Sequence, residues 1–327
     1  MKVAPMRPAA GTAADRPAGL VHGVAFHQSP ADLVARLAAL ARPALQAGGT
    51  VALALAPATA TALRTELERD RPDAAGALLD LPAPGPVEAR SGQTVALGRA
   101  RELRALAAVG PVTVLAEHLP ELDGPDGRFW TELEAASAVA MADLPVRMTC
   151  LYPELPLHLA VLDGARCTHP HLLVGDELRP NPVHRPPREL LAAHPVAAPE
   201  LLGVPEQRMA FRSWQLRDVR RMVRDAAVAV GFGHDRTDDV VLAVNEVATN
   251  AVEHGGPTAE LHLWCAGRGL VCEVHDTGPL ADPLPGLVAP HAGEARGRGL
   301  WIARQLCELL HVWTDSAGTH VRIAAGA

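Results

Sequence analysis

Lysine is almost missing from this chain: Lys2 is the only one, and arginine supplies the remaining side-chain cations. That scarcity excludes chemistry built on an interior lysine, namely the Walker A phosphate lysine, the lysine of eukaryotic-type kinases and Schiff-base catalysis. Aromatic residues are only 3% of the sequence, too few for a platform that stacks single-stranded nucleic acid. A net charge of −7 leaves no basic footprint for a phosphate backbone. The five cysteines, Cys150, Cys167, Cys265, Cys272 and Cys307, contain no C-x-x-C pair. They read as buried thiols in a reducing cytoplasm rather than as disulfides or zinc ligands. Long apolar runs are missing too. The longest, Val51 to Ala56, stops at Pro57 and is far too short to cross a bilayer. Met1 to Gly19, rich in Pro, Ala and Gly, reads as a frayed leader and not as a targeting signal.

What is present suffices for two cores: 327 residues, 48% of them hydrophobic. From Leu20 onward, short β-rich runs (Val21 to Phe26, Val51 to Ala56, Ala77 to Leu81, Val112 to Glu117, Val146 to Leu151) alternate with helical stretches. The helical stretches are Ala31 to Gln46, Ala58 to Arg69, Ala96 to Ala108, Arg128 to Ala142 and Leu155 to Ala165. The alternation predicts a mostly parallel sheet covered on both faces, and the nearly continuous apolar strands agree with it. No phosphate cradle follows these strands, because Gly48-Gly49-Thr50 precedes a strand and Ala56-Pro57-Ala58-Thr59 has no glycine. His22, His27 and His169 could line a ligand or metal site, but without H-x-H spacing ordinary polar roles are the more frequent outcome. Met148-Thr149-Cys150-Leu151-Tyr152, Leu155-Pro156, Thr168-His169-Pro170 and Asn181 follow in order. In that order they resemble the MEDS sensory domain over roughly residues 20–190. The resemblance implies a RecA-like α/β sensor of three layers.

A proline-punctuated stretch from Pro186 to Met209 reads as a linker with one short helix, 191–209 lying between the domains. The second domain, 210–327, opens with a helix, Trp214 to Val230, whose stripe is Leu216, Val219, Val223, Ala226, Ala227 and Val230. Arg217, Arg220, Arg221 and Arg224 fill its other side, a solvated face or one that meets an acidic partner. The next helix, entered through Asp235 and Thr237 as caps, runs to Gly255-Gly256 and aligns Glu246, Asn250 and His254 on one face. An acid and a carboxamide at i, i+4 offer a proton acceptor beside a neutral oxygen ligand for a nucleotide-bound Mg²⁺. A merely polar outer helix face is the alternative. Leu261 to Ala266 and Leu270 to His275 read as a hairpin that ends in Asp276-Thr277-Gly278. There a carboxylate can accept from a base amine while a glycine lets the backbone approach a flat ring. Pro279 to Arg296 reads as a mobile loop, and Gly297-Arg298-Gly299-Leu300 opens a helix over Trp301 to Leu310. Its free N–H groups, with Arg296 and Arg298, suit an anion.

Taken in order, Glu246-x-x-x-Asn250-Ala251, Asp276-x-Gly278, Gly297-x-Gly299 and Gly318-Thr319 resemble the GHKL family of ATP-binding domains, over about Phe211 to Ile323. Val244 to Gly256 is similar to the branch of anti-sigma-factor serine kinases. The resemblance implies a two-layer α/β sandwich of the Bergerat type and ATP with Mg²⁺ as cofactors. Glu246 would be the general base and Asn250 the metal ligand. Asp276 and Gly278 would hold the adenine, with Thr319 supporting the pocket. Arg296, Gly297, Arg298, Gly299 and Leu300 would close over the phosphates. Leu280 stands where the family often has a second glycine. His194, followed by Pro195, makes a poor phosphoacceptor. The implied protein is a cytoplasmic regulator that phosphorylates a Ser or Thr of a sigma factor or an anti-sigma antagonist, with neither nucleic acid nor membrane as direct partner. A homodimer is compatible. A nucleotide-dependent switch without phosphoryl transfer is the alternative, and a metal hydrolase using Glu246, Glu253 and His254 is a weaker third.

Overall fold

The computed structural model describes residues 17–69, 76–87, 90–123, 127–290 and 297–326. The leader up to residue 16 and Arg296 therefore lie outside the described residues. The described chain divides into two compact units, one within Met1–Ala83 and Gly98–Pro186, the other within Pro84–Leu97 and Pro187–Ala327.

The first unit contains β1 (Val21–His27), α1 (Pro30–Gln46), β2 (Thr50–Ala54), α2 (Pro57–Glu68) and β3 (Leu78–Asp80). It continues with α3 (Gly92–Val109, whose first residues count with the second unit), β4 (Val112–Glu117), α4 (Arg128–Ala140), β5 (Val146–Pro153), α5 (Leu159–Thr168), β6 (His171–Val174) and β7 (Glu177–Pro180). The sheet order is β3-β2-β4-β5-β1-β6-β7, parallel except for the β6–β7 pair. Strong local signals fix the first helix. Ser29 accepts a hydrogen bond from the Asp32 N–H, Pro30 needs no donor in the first turn, and Leu33, Leu37, Ala41 and Leu45 are buried. The helix expected from Leu155 starts only at Leu159, because Pro153 and Pro156 bracket a segment with no helical hydrogen-bond run.

The second unit holds α6 (Pro187–Ala193), β8 (Gln207–Phe211), α7 (Leu216–Ala229), α8 (His234–Asn250), β9 (Ala259–Ala266), β10 (Gly269–Asp276), α9 (Gly299–Leu306), β11 (Leu309–Asp315) and β12 (Gly318–Gly326). Its sheet is antiparallel throughout, in the order β11-β12-β10-β9-β8. Side chains alternate along β10, so Leu270, Cys272, Val274 and then Asp276 share the buried face. Val219, Val223 and Ala227 of α7, Val240, Val244 and Ala248 of α8 and Ala303 of α9 pack on that face. Each side chain of this size contributes roughly 1.5–3 kcal/mol when taken from water, less for alanine.

Several local expectations change. Gly233 caps α8; Asp235 sits in its first turn and Thr237 is buried inside it. The helix read to Leu310 stops at Leu306, because Cys307 turns extended and Leu309 and Leu310 pair with Ala324 and Ile323 as β11. The proline loop after Gly278 is anchored over 279–290: Leu284 and Leu287 are buried, and Pro285 O accepts from the buried Arg304 Nε at 2.9 Å. Nothing of that kind was visible from its prolines alone. Among the described residues no helix is long and apolar enough to cross a membrane.

Candidate functional site

The site is built where α8, β10, α9 and β12 come together. Asn250 ends α8, and the chain leaves through a wider turn in which Gly256 N–H donates to Ala251 O at 3.2 Å. Such wide turns inside helices recur at functional sites. The turn brings Gly255 onto Asp276, so close that a Cβ at Gly255 would lie 1.9 Å from Asp276 Oδ1. One at Gly278 would lie 2.4 Å from Gly255 Cα. Both positions must therefore be glycine. The Asp-x-Gly triplet is more than a turn: Gly278 N–H donates to Asp276 Oδ1 at 2.7 Å, and Thr319 Oγ1 donates to Gly278 O at 2.8 Å. Thr319 stands opposite Asp276 in the β10–β12 register. Burial pushes the Asp276 carboxyl up from its ordinary value, and the Gly278 N–H offsets only part of that.

Across the site, α9 starts at Gly299 directly against α8. A Cβ there would meet Glu246 Oε2 at 2.7 Å and Asn250 Nδ2 at 3.4 Å. The first turn of α9, whose N–H groups have no partner within the helix itself, thus lies beside a carboxylate and a carboxamide. A cavity of about 410 Å³ opens here, lined by Asn250, Asp276, Gly297, Gly299, Leu300 and Thr319 together with apolar Val247, Ala251, Val274, Val312 and Val321. Its size is in the range of small-ligand pockets, and its mix of an apolar floor with few polar groups is typical of them. Gly278 lies beneath Gly255, Glu246 beside Gly299, and Arg298 is exposed at the start of α9. Of the candidate site residues, only Arg296 falls outside the described residues.

Sequence reasoning missed the apolar lining, because Val247 and Ala251 look like ordinary core, and it missed the contribution of Pro279–Asp282, Pro285 and Gly286 to the cavity wall. His254 and Glu253 are exposed, and no group of three metal-type ligands forms around Glu246 among the described residues. His194 is exposed after a helix of only seven residues, too short for a dimerising phosphoacceptor hairpin.

An antiparallel sheet with helices packed on its buried face thus carries a pocket between helix ends and strands, with Asp276 in its wall. Residues 209–325 match the family model described as histidine kinase-like ATPase domain. This stretch is accordingly an ATP-binding, GHKL-like domain. No curated protein matches the chain.

Proposed function

We propose that the chain is a signalling regulator in which the second domain binds ATP with Mg²⁺ and phosphorylates a Ser or Thr of a partner protein, as anti-sigma-factor kinases do. In this reading the first domain, a MEDS-type sensor of RecA-like layering, controls the second. The observation that carries it is that Asn250, Asp276, Gly299 and Thr319 line one cavity, with Glu246 beside its wall at Gly299. Asp276 accepts from the exocyclic amine of adenine, and Thr319 holds the Gly278 carbonyl that shapes that end of the pocket. A carboxamide oxygen beside a carboxylate is a hard-oxygen donor set, which fits Mg²⁺. Asn250 would hold it, and when bound it supplies charge neutralisation on the triphosphate. Glu246 takes the proton of the attacking hydroxyl, while Gly297 to Leu300 offer backbone N–H groups and Arg298 a positive charge to the phosphates. Sigma factors and their antagonists are the partner class in this reading, which needs neither a membrane nor nucleic acid.

Leu280 favours a second reading. It lines the cavity and packs against the core where a glycine would let the loop swing, which suits slow turnover and a nucleotide-dependent switch. The experiment uses the full chain with labelled ATP and candidate antagonist proteins. Acid-stable label on the partner, lost in Glu246→Ala, supports the kinase. Nucleotide-dependent capture of the partner with no label in either protein supports the switch and overturns transfer.

A further inference from the structure

The first unit encloses a cluster that the nucleotide site does not use. His22 on β1, Glu134 on α4, Cys150 on β5 and His169 at the end of α5 each aim one donor atom into a common point, all within 4.8 Å of one another. All four residues are buried, each at most 2% exposed. The parallel β1–β5 register sets Val24 beside Cys150, so His22, two residues earlier on the same face, reaches across to it. Glu134 and His169 close the other sides. Of the three histidines noted in the sequence, His22 and His169 belong to the cluster and His27 does not.

We propose that His22, Glu134, Cys150 and His169 form a closed four-ligand site for a divalent transition-metal ion of the zinc class. The distances have the right scale. A tetrahedral ion with bonds of about 2.0–2.3 Å sets its ligand atoms about 3.3–3.7 Å apart. Here His22 Nε2 to Glu134 Oε2 is 3.2 Å, His22 Nε2 to Cys150 Sγ 3.4 Å, His169 Nε2 to Glu134 Oε2 3.5 Å and Cys150 Sγ to Glu134 Oε2 3.7 Å. The groups around them are those that orient metal ligands. His169 Nδ1 donates to Ala165 O at 2.7 Å, which leaves Nε2 with its lone pair in the cluster, and that buried Nε2 has no hydrogen-bond partner. The Tyr152 hydroxyl donates to Glu134 Oε1 at 2.6 Å, which turns Oε2 inward.

Charge agrees with geometry. With the ion bound, the Glu134 carboxylate and the Cys150 thiolate balance the two charges of a divalent cation, which removes the cost of an isolated buried anion. On binding, the Cys150 S–H bond gives way to a metal–sulfur bond and the proton leaves to solvent. Four protein donors leave no open position, so the ion clamps β1, α4, β5 and the end of α5 together and does not activate water. The lack of C-x-x-C spacing argued against zinc; the ligands instead come from four separate elements.

The test takes the untagged full chain, strips it with a chelator under reducing conditions, reloads it with Zn²⁺ alone, removes excess ion and measures metal by mass spectrometry. About one Zn²⁺ per chain is expected, with affinity falling at least about 10²-fold in Cys150→Ser and in His169→Gln and unchanged in His27→Gln. Co²⁺ gives an independent readout: the wild-type chain should show a thiolate-to-cobalt charge-transfer band and intense tetrahedral d–d absorption. If the ligand variants fail to fold, that wild-type spectrum decides. Failure to take up either ion overturns the proposal, as does a cobalt adduct without the thiolate band, or equal affinity in folded ligand variants.

Discussion

Asp276 shows how one side chain is set for two tasks. Strand alternation turns it to the buried face, Gly255 and Gly278 close on it, and the Gly278 N–H holds one of its oxygens. Burial, the largest influence, raises its pKa from the ordinary 3.8. A carboxyl raised on folding favours the protonated native state, so its own contribution to stability grows as pH falls through the raised value and shrinks as pH rises. Recognition of a base amine has the opposite sign, because only the carboxylate is a full acceptor. Asp276→Asn should therefore leave the melting temperature of the free protein unchanged or slightly higher. It should also weaken ATP by about 1.5–3 kcal/mol, roughly 10- to 150-fold. In the wild type, ATP affinity should fall on acidification at a pH above that of an ordinary aspartate. Calorimetry across pH 4 to 7 checks both, and an unchanged affinity in Asp276→Asn would remove Asp276 from base recognition.

At the scale of elements, α9 connects the cavity to the sheet through one buried cation. Arg304, 3% exposed, donates to Pro285 O and to Leu310 O, each at 2.9 Å, and to Gln93 Oε1 at 2.6 Å. It holds the loop after Gly278, strand β11 and the 84–97 segment against one helix. Arg304→Leu keeps the apolar bulk but strands those acceptors, and should destabilise the domain by about 3 kcal/mol. It should also loosen the Pro285–Gly286 wall of the cavity. Urea denaturation reads the first effect and ATP titration the second; wild-type stability in Arg304→Leu would show the network to be incidental. None of this network is legible in sequence, since its partners lie as far as 211 residues apart. What was legible follows period and spacing. The 3.6-residue stripe located α7 and α8, alternation located the β9–β10 hairpin, and local motifs named Glu246, Asn250, Asp276 and Gly299. Strand β11 was hidden because Glu308-Leu309-Leu310 extends the apolar pattern of α9, and only the pairing with β12 ends the helix. Cys150 and Glu134 carried no spacing signal, because parallel register and a separate helix bring them to His22.

For the whole molecule, chain order and domain order differ. Residues 84–97 fall between β3 and β4 in sequence, yet they count with the ATPase unit. There Gln93 Nε2 donates to Val312 O at 3.0 Å, Thr94 Oγ1 pairs with Leu310 O and N–H at 3.4 and 3.3 Å, and Ser91 Oγ meets His311 Nδ1 at 3.0 Å. Val312 lines the nucleotide cavity, and Arg304, which holds Pro285, is itself held by Gln93. A fragment cut at residue 187 keeps every motif of the ATP site but loses the segment that fixes β11 and Arg304. With hydrogen bonds worth about 0.5–1.5 kcal/mol each, its domain should be less stable by about 2–4 kcal/mol than the same domain in the full chain. Its ATP affinity should fall with it. A synthetic peptide of residues 84–97 added in trans should recover part of both, since binding to the folded state alone stabilises it by mass action. Equal stability of fragment and full chain, with no response to the peptide, would show that the segment is a passive loop. Recovery would show that a strap drawn from between β3 and β4 supports the ATP-binding domain.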